Sequence, residues 1–238
     1  MTNPLLPTRF LFHFSAPCRY RDPLWTEEGA DLDEQYRLIG LAELEERPAP
    51  AEVRAAWSEA GLAFTVRVEG KRQPPWCRAA RPEDSDGLQI WIDTRDVHNV
   101  HRAGHFCHRF LFLPLEKGVR TIFPGREGSR GAFSGRNSSD PFLPAAAEWL
   151  PINRAREQPN PIRPGLLQAR CQQRSDGYIL DALIPAEALT GFDPGEHPRL
   201  GFTYAVMDRE LGEQTFGVGS PMPYQEDPSL WATLELQR

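Results

Sequence analysis

The sequence predicts an all-β protein, a two-sheet antiparallel β-sandwich of the jelly-roll or immunoglobulin-like kind. Three observations predict it. The 23 prolines and 19 glycines are scattered along the 238 residues, which suits many short strands joined by turns. Several segments alternate apolar and polar residues with period two, so each has one face suited to a core. Roughly ten such segments follow one another with almost no helical period between them. No repeat and no second hydrophobic core is visible, so 1–238 reads as a single domain. An irregular insertion interrupts it at about 125–165.

The elements follow in order. Arg9 to Phe14 is rich in phenylalanine and reads as an opening strand, and 16–33 reads as a loop. Gln35 to Leu44 fits either a strand or a short helix. Glu52 to Trp57 and Leu62 to Glu69 form the clearest hairpin, joined by Ser58-Glu59-Ala60-Gly61. The loop Gly70 to Glu83 carries Trp76 behind two prolines, as a loop anchor or as a ligand platform. Leu88, Ile90 and Ile92 share one face of the next strand, and Gln89 and Trp91 share the other. Phe106 to Leu113 carries apolar residues on both faces, as a strand inside the assembly does. Gly118 to Phe123 reads as a further strand. In 125–165 the period lapses, with Phe133, Phe142 and Trp149 as expected anchors onto the body. Leu166 to Gln173 and Tyr178 to Ile184 flank the turn Ser175-Asp176-Gly177. Pro185 to Thr190 reads as a helical turn, Leu200 to Met207 as a strand, and Leu230 to Leu236 as the last strand.

Composition narrows the function. Twenty-seven basic against 33 acidic residues give a net charge of −6, which argues against a general nucleic-acid binder. No run is long and apolar enough to span a membrane as a helix. Met1 to Phe14 has Arg9 as its one basic residue and no continuous apolar stretch, so no secretory signal is read and a cytoplasmic location is expected. Cys18, Cys77, Cys107 and Cys171 form no CxxC pair, so buried free thiols are expected rather than a zinc ribbon.

Four stretches stand out, 53–62 (Val-Arg-Ala-Ala-Trp-Ser-Glu-Ala-Gly-Leu), 86–93 (Asp-Gly-Leu-Gln-Ile-Trp-Ile-Asp), 176–185 (Asp-Gly-Tyr-Ile-Leu-Asp-Ala-Leu-Ile-Pro) and 227–234 (Asp-Pro-Ser-Leu-Trp-Ala-Thr-Leu). They resemble, in that family's order, the carbohydrate-binding module family 9 domain, within the wider DOMON-like β-sandwiches. The resemblance covers most of 50–236 outside the insertion. It implies a non-catalytic module that holds an oligosaccharide or other glycan between two aromatic rings, with polar side chains reading hydroxyls. Any glycoside hydrolysis would come from a partner. Carried onto this sequence, the first ring is Trp76 and the second falls near Phe216. The family's strand carboxylate falls on Gln89, its arginine near Arg109, and Trp91 shares Gln89's face.

One cluster stands outside that resemblance. His98, His101, His105 and His108 hold four of the six histidines. His98, His101 and His105 on one loop are candidate zinc ligands, because a transition metal needs three or four converging donors. They are the basis of an alternative reading, a metal-binding protein or hydrolase built on 98–108. Asp84, Asp86, Asp93 and Asp96 offer oxygens for calcium, although without EF-hand spacing. The sequence contains no GxSxG, HExxH, Walker or Rossmann signature.

Overall fold

The computed structural model describes residues 13–39, 49–78, 80–114, 142–143 and 145–238. The hairpin read from the sequence is β2 (Ala51–Ser58) and β3 (Gly61–Glu69), paired along their whole length. Gly61 is required at the turn. Its φ is +136°, and a Cβ there would lie 2.2 Å from the Ile184 carbonyl oxygen. On its other edge β3 pairs with β9 (Gly177–Pro185), which in turn pairs with β8 (Gln168–Arg174). A second group is centred on β4 (Gly87–Asp93), which lies between β5 (Cys107–Pro114) and β10 (Arg199–Asp208). β7 (Ala145–Leu150) extends the β5 side. β12 (Ala232–Gln237) and the short β11 (Gly212–Thr215) flank β10.

The all-β class holds, but two separate sheets do not form. β1 (Ser15–Tyr20) runs parallel to β12 on one side and to β2 on the other, so the described strands make one continuous sheet. At the far ends of that sheet, β6 (Phe142–Leu143) pairs with β8 while β7 pairs with β5. One short run of chain thus draws both ends together, and the sheet curls into a barrel-like shape. The irregular reading of 125–165 therefore fails at 142–143 and 145–150, where an Ala-rich run without alternation is made into strand by its pairing partner. Trp149 packs on the core as expected. Phe133, the side chain of Phe142 and the strand expected at Gly118 to Phe123 lie outside the described residues. So does most of the strand expected at Arg9 to Phe14, while β1 occupies part of the expected loop.

The interior is apolar. Leu88, Ile90 and Ile92 face inward as predicted, opposite Phe112, Phe110 and His108 of β5. Phe64 and Phe202 stack across the interior with ring centroids 5.9 Å apart. The outer faces are covered as well. Leu24, Ala30 and Leu32 lie over Ala56, Ala63 and Leu183, and Val218, Tyr224 and Trp231 lie over Trp91, Cys107 and Ala205. Helix among the described residues is limited to 3₁₀ turns, Ala186–Ala188 being the one expected after Pro185. No helix there is long and apolar enough to cross a membrane.

Candidate functional site

Strand pairing assembles a polar row on the outer face of β4. Thr203 of β10 and Arg109 of β5 both stand directly opposite Trp91, so Thr203, Trp91 and Arg109 cross three strands in line. Neighbours in such a row are about 4.8 Å apart. Arg109 Nη2 donates to Gln89 Oε1 at 2.7 Å, and Gln89 Nε2 donates to the Glu83 carbonyl at 2.9 Å. The guanidinium carbon lies 5.2 Å from the centroid of the Trp91 ring. Exposure is 2% for Gln89, 0% for Trp91 and 7% for Arg109. Burial pushes the Arg109 pKa down, and the negative ends of Glu83 and Tyr224 offset part of that. Arg109 Nε, Trp91 Nε1 and Thr203 Oγ1 are buried with no protein hydrogen-bond partner. Three orphaned polar atoms in one row are unusual, because each costs about 1–3 kcal/mol if left unmade.

Trp76 lies in the loop that precedes β4 and is half-buried. Its backbone is held at both ends by Asp86, whose N–H donates to the Trp76 carbonyl at 2.9 Å. Asp86 Oδ2 accepts the Trp76 N–H at 3.0 Å. The same carboxylate receives the Arg209 N–H at 2.7 Å, and the Arg209 guanidinium sits 4.7 Å above the Trp76 ring centroid. Asp86 is fixed in its turn by Lys71. The Lys71 ammonium donates to Asp86 Oδ2 at 3.0 Å and to Asp208 Oδ2 at 2.6 Å, with all three side chains buried. This buried triad sets where the tryptophan and its covering arginine stand.

Phe216 is not part of this face. On β11 Thr215 is opposite Ala205, and Ala205 shares the outer face with Trp91. The next residue therefore points inward, and Phe216 packs in the core against Phe202 and Tyr204 with centroids 5.1 and 5.4 Å away. The expectation of a second ring at Phe216 is corrected by the alternation of strand side chains.

The candidate zinc ligands do not converge. His98 Nε2 lies 2.9 Å from Asp96 Oδ1, His101 Nδ1 lies 3.2 Å from Asp227 Oδ2, and His105 Nδ1 lies 3.7 Å from Glu157 Oε1. Each imidazole thus ties its loop to a different carboxylate. His108 faces the interior, where its Nε2 accepts the Thr190 N–H at 3.0 Å. The four aspartates considered for calcium also part company. Asp84 pairs with Arg78, Asp86 with Lys71, Asp93 accepts the N–H groups of Arg95 and Val97, and Asp96 pairs with His98 and Arg199. Among the described residues no group of three or more His, Cys, Asp or Glu side chains is placed to hold a metal. Equimolar zinc should accordingly move the melting temperature by less than about 1 °C, since a ligand that binds the native state must raise it. A rise of several degrees in thermal melts would restore the metal reading.

His98 and His101 do line something. A cleft of about 440 Å³ opens between them and Phe14, Val218, Asp227 and Ser229. It lies at the Asp93 end of β4, about 20 Å from the Trp76 end at roughly 3.3 Å per residue. Ser229, His101 and Asp227 have the residue types of a hydrolytic triad but not its geometry. A relay needs serine on one imidazole nitrogen and aspartate on the other. Here His101 Nδ1 meets both, at 3.0 Å from Ser229 Oγ and 3.2 Å from Asp227 Oδ2. Ser229 Oγ also donates straight to Asp227 Oδ1 at 2.6 Å, which fits a cap on the turn Pro228–Leu230.

Compared as a sequence, the chain matches no family model and no curated protein. Compared as a fold, it matches solved structures. A family 9 carbohydrate-binding module from Caldicellulosiruptor kristjanssonii in complex with cellotriose superposes with a TM-score of 0.53 and 10% identity, over 94% of this chain and 93% of that one. A family 9 module of the same organism in complex with glucose gives 0.52 and 12%, over 93% and 95%. A protein from Bacteroides uniformis gives 0.51 and 11%, over 94% and 100%. The chain resembles family 9 carbohydrate-binding modules in fold. Within this family 9 fold, Gln89, Trp91 and Arg109 were legible in the sequence, and β4–β5 pairing brings them together. Thr203, Arg209 and Tyr224 were not. Thr203 becomes visible only once its register with Trp91 is known, and Tyr224 sits in a proline-flanked segment without period.

Proposed function

We propose that the protein binds a carbohydrate without transforming it, on the outer face of β4 where Gln89, Trp91 and Arg109 meet below the Trp76 loop. The row of unpartnered polar atoms beside two tryptophans carries this reading. A sugar offers apolar C–H faces to aromatic rings and a ring of hydroxyls to amide and guanidinium groups. Similarity in fold to modules solved with cellotriose and glucose supports it. Trp76 is the half-buried ring of the set and supplies the platform, with Arg209 closing one of its faces so that a sugar stacks on the other.

Calorimetric titration with oligosaccharides, cellotriose first, tests the reading. Trp76→Ala should weaken binding by about tenfold or more, which corresponds to about 1.4 kcal/mol. The melting temperature should fall by no more than about 4 °C, because the contacts that anchor the loop are backbone ones that alanine keeps. A parent protein without measurable affinity for any oligosaccharide, combined with a strongly destabilised variant, would make Trp76 a packing residue.

A further inference from the structure

The charges of the face name a ligand class, and this inference rests on the sugar-binding reading. Arg109 is buried, yet among the described residues no carboxylate lies within ion-pair distance of it. Its hydrogen-bond partner is an amide, the Gln89 side chain at 2.7 Å. Glu83 offers the site its backbone carbonyl, given to Gln89, while its side chain is exposed. Of the three guanidinium nitrogens, Nη2 is bonded to Gln89 and Nε is buried without a partner. Among the described residues Nη1 has no hydrogen-bond acceptor. A buried charge without a counter-charge is costly, and it is normally paired.

Arg209 repeats the pattern at the mouth. It is exposed, it lies over the Trp76 ring at 4.7 Å, and among the described residues its guanidinium makes no ion pair. Both tryptophans therefore carry a guanidinium that makes no ion pair with a side chain among the described residues. The contrast with the surroundings is sharp, since Lys71 has two aspartates and Arg78 has Asp84.

We propose that the ligand is an acidic sugar, a uronic acid or a glycan bearing one, whose carboxylate pairs with Arg109 through its Nη1 edge. Arginine suits this role because its planar fork matches a carboxylate in geometry. Arg209 adds a second, screened attraction for the same charge. The stacking face of the sugar ring stays with Trp76, so the carboxylate adds selectivity to a contact that neutral sugars also make.

Calorimetric titration with D-glucuronate and with D-glucose at neutral pH tests the proposal. The parent should bind glucuronate at least about tenfold more tightly than glucose. Gln89→Glu places a carboxylate on Arg109 and should reduce that preference to within about threefold. Since the glutamate also loses the donor to the Glu83 carbonyl, its thermal melt is recorded alongside. Arg209→Gln, at an exposed position, provides a second variant, which should weaken glucuronate several-fold more than it weakens glucose. Equal affinities of the parent for the two sugars, or an intact preference in a folded Gln89→Glu, overturns the proposal and leaves sugar binding standing. Failure of the parent to bind glucose, glucuronate or cellotriose overturns both.

Discussion

Replacing Lys71 with methionine should destabilise the protein by about 3–5 kcal/mol at neutral pH, the largest effect expected of any single change outside the apolar core. The buried ammonium holds Asp86 at 3.0 Å and Asp208 at 2.6 Å, and methionine leaves both carboxylates facing each other with no cation between them. Burial works against the Lys71 charge, but the hydrogen bonds to Asp208 and Asp86 outweigh it and raise its pKa. The pairing thus stabilises the charged form. Damage would spread along the network, because Asp86 holds the Trp76 and Arg209 backbones and Asp208 Oδ1 accepts the N–H groups of Glu210 and Leu211. Denaturant unfolding measures the effect. Adding Asp86→Asn and Asp208→Asn to Lys71→Met removes the unpaired charges and should recover a large part of the loss. If Lys71→Met alone costs less than about 1 kcal/mol, the triad carries no structural weight.

The second large effect concerns acid. Two buried groups titrate in opposite senses. His108 is lowered to about 4, chiefly by burial, with the hydrogen bond from Thr190 opposing. Asp181 is raised to about 6, again chiefly by burial, although the Thr65 hydroxyl and the Asp31 N–H favour its charged form. For His108 the folded pKa lies below the unfolded one, so the unfolded chain binds more protons, and stability is lost as pH falls from about 6.5 toward 4. For Asp181 the folded pKa lies above the unfolded one. Its contribution is present at low pH and is lost as pH rises from about 4 through 6. Each shift corresponds to on the order of 3 kcal/mol, and in the parent the two nearly cancel between pH 4 and 6. Asp93, raised by burial, adds to the sense of Asp181. Asp181→Asn should therefore make stability fall steeply on acidification from about pH 6 to about 4, and His108→Phe should make it rise over the same range. Urea unfolding at several pH values reads the slopes directly. Parallel curves for parent and both variants would rule out this balance.

These buried groups also mark where sequence reading stopped. Alternation placed Leu88, Ile90 and Ile92 inward and Gln89 and Trp91 outward correctly, because the period of a strand is fixed by its backbone. Phe216 was carried over from the family resemblance, and the short β11 that sets its phase turns it inward. Ala145 to Leu150 had no strand signature, since its extended form comes from its neighbour β5. β1 contains a proline and polar residues, and its place between two halves depends on partners far away in sequence. Burial of the outer face was equally hidden. Trp91 looks exposed on a strand diagram, and only the fold of the 217–231 segment packs Val218, Tyr224 and Trp231 against it.

The parallel seam of β1 with β12 has a consequence for biosynthesis. Ser15 faces Thr233 and Arg19 faces Gln237, so β1 bonds to a strand that is synthesised long after it. Until β12 emerges, β1 can attach only to β2, and β10 shows an open edge on that side. The contacts that close the sheet are long-range, and such topologies fold slowly. A nascent chain halted before residue 232 would hold two unsatisfied edges with apolar residues beside them, the kind of surface on which strands of neighbouring chains add. Closure of the sheet thus waits until β12 has been made.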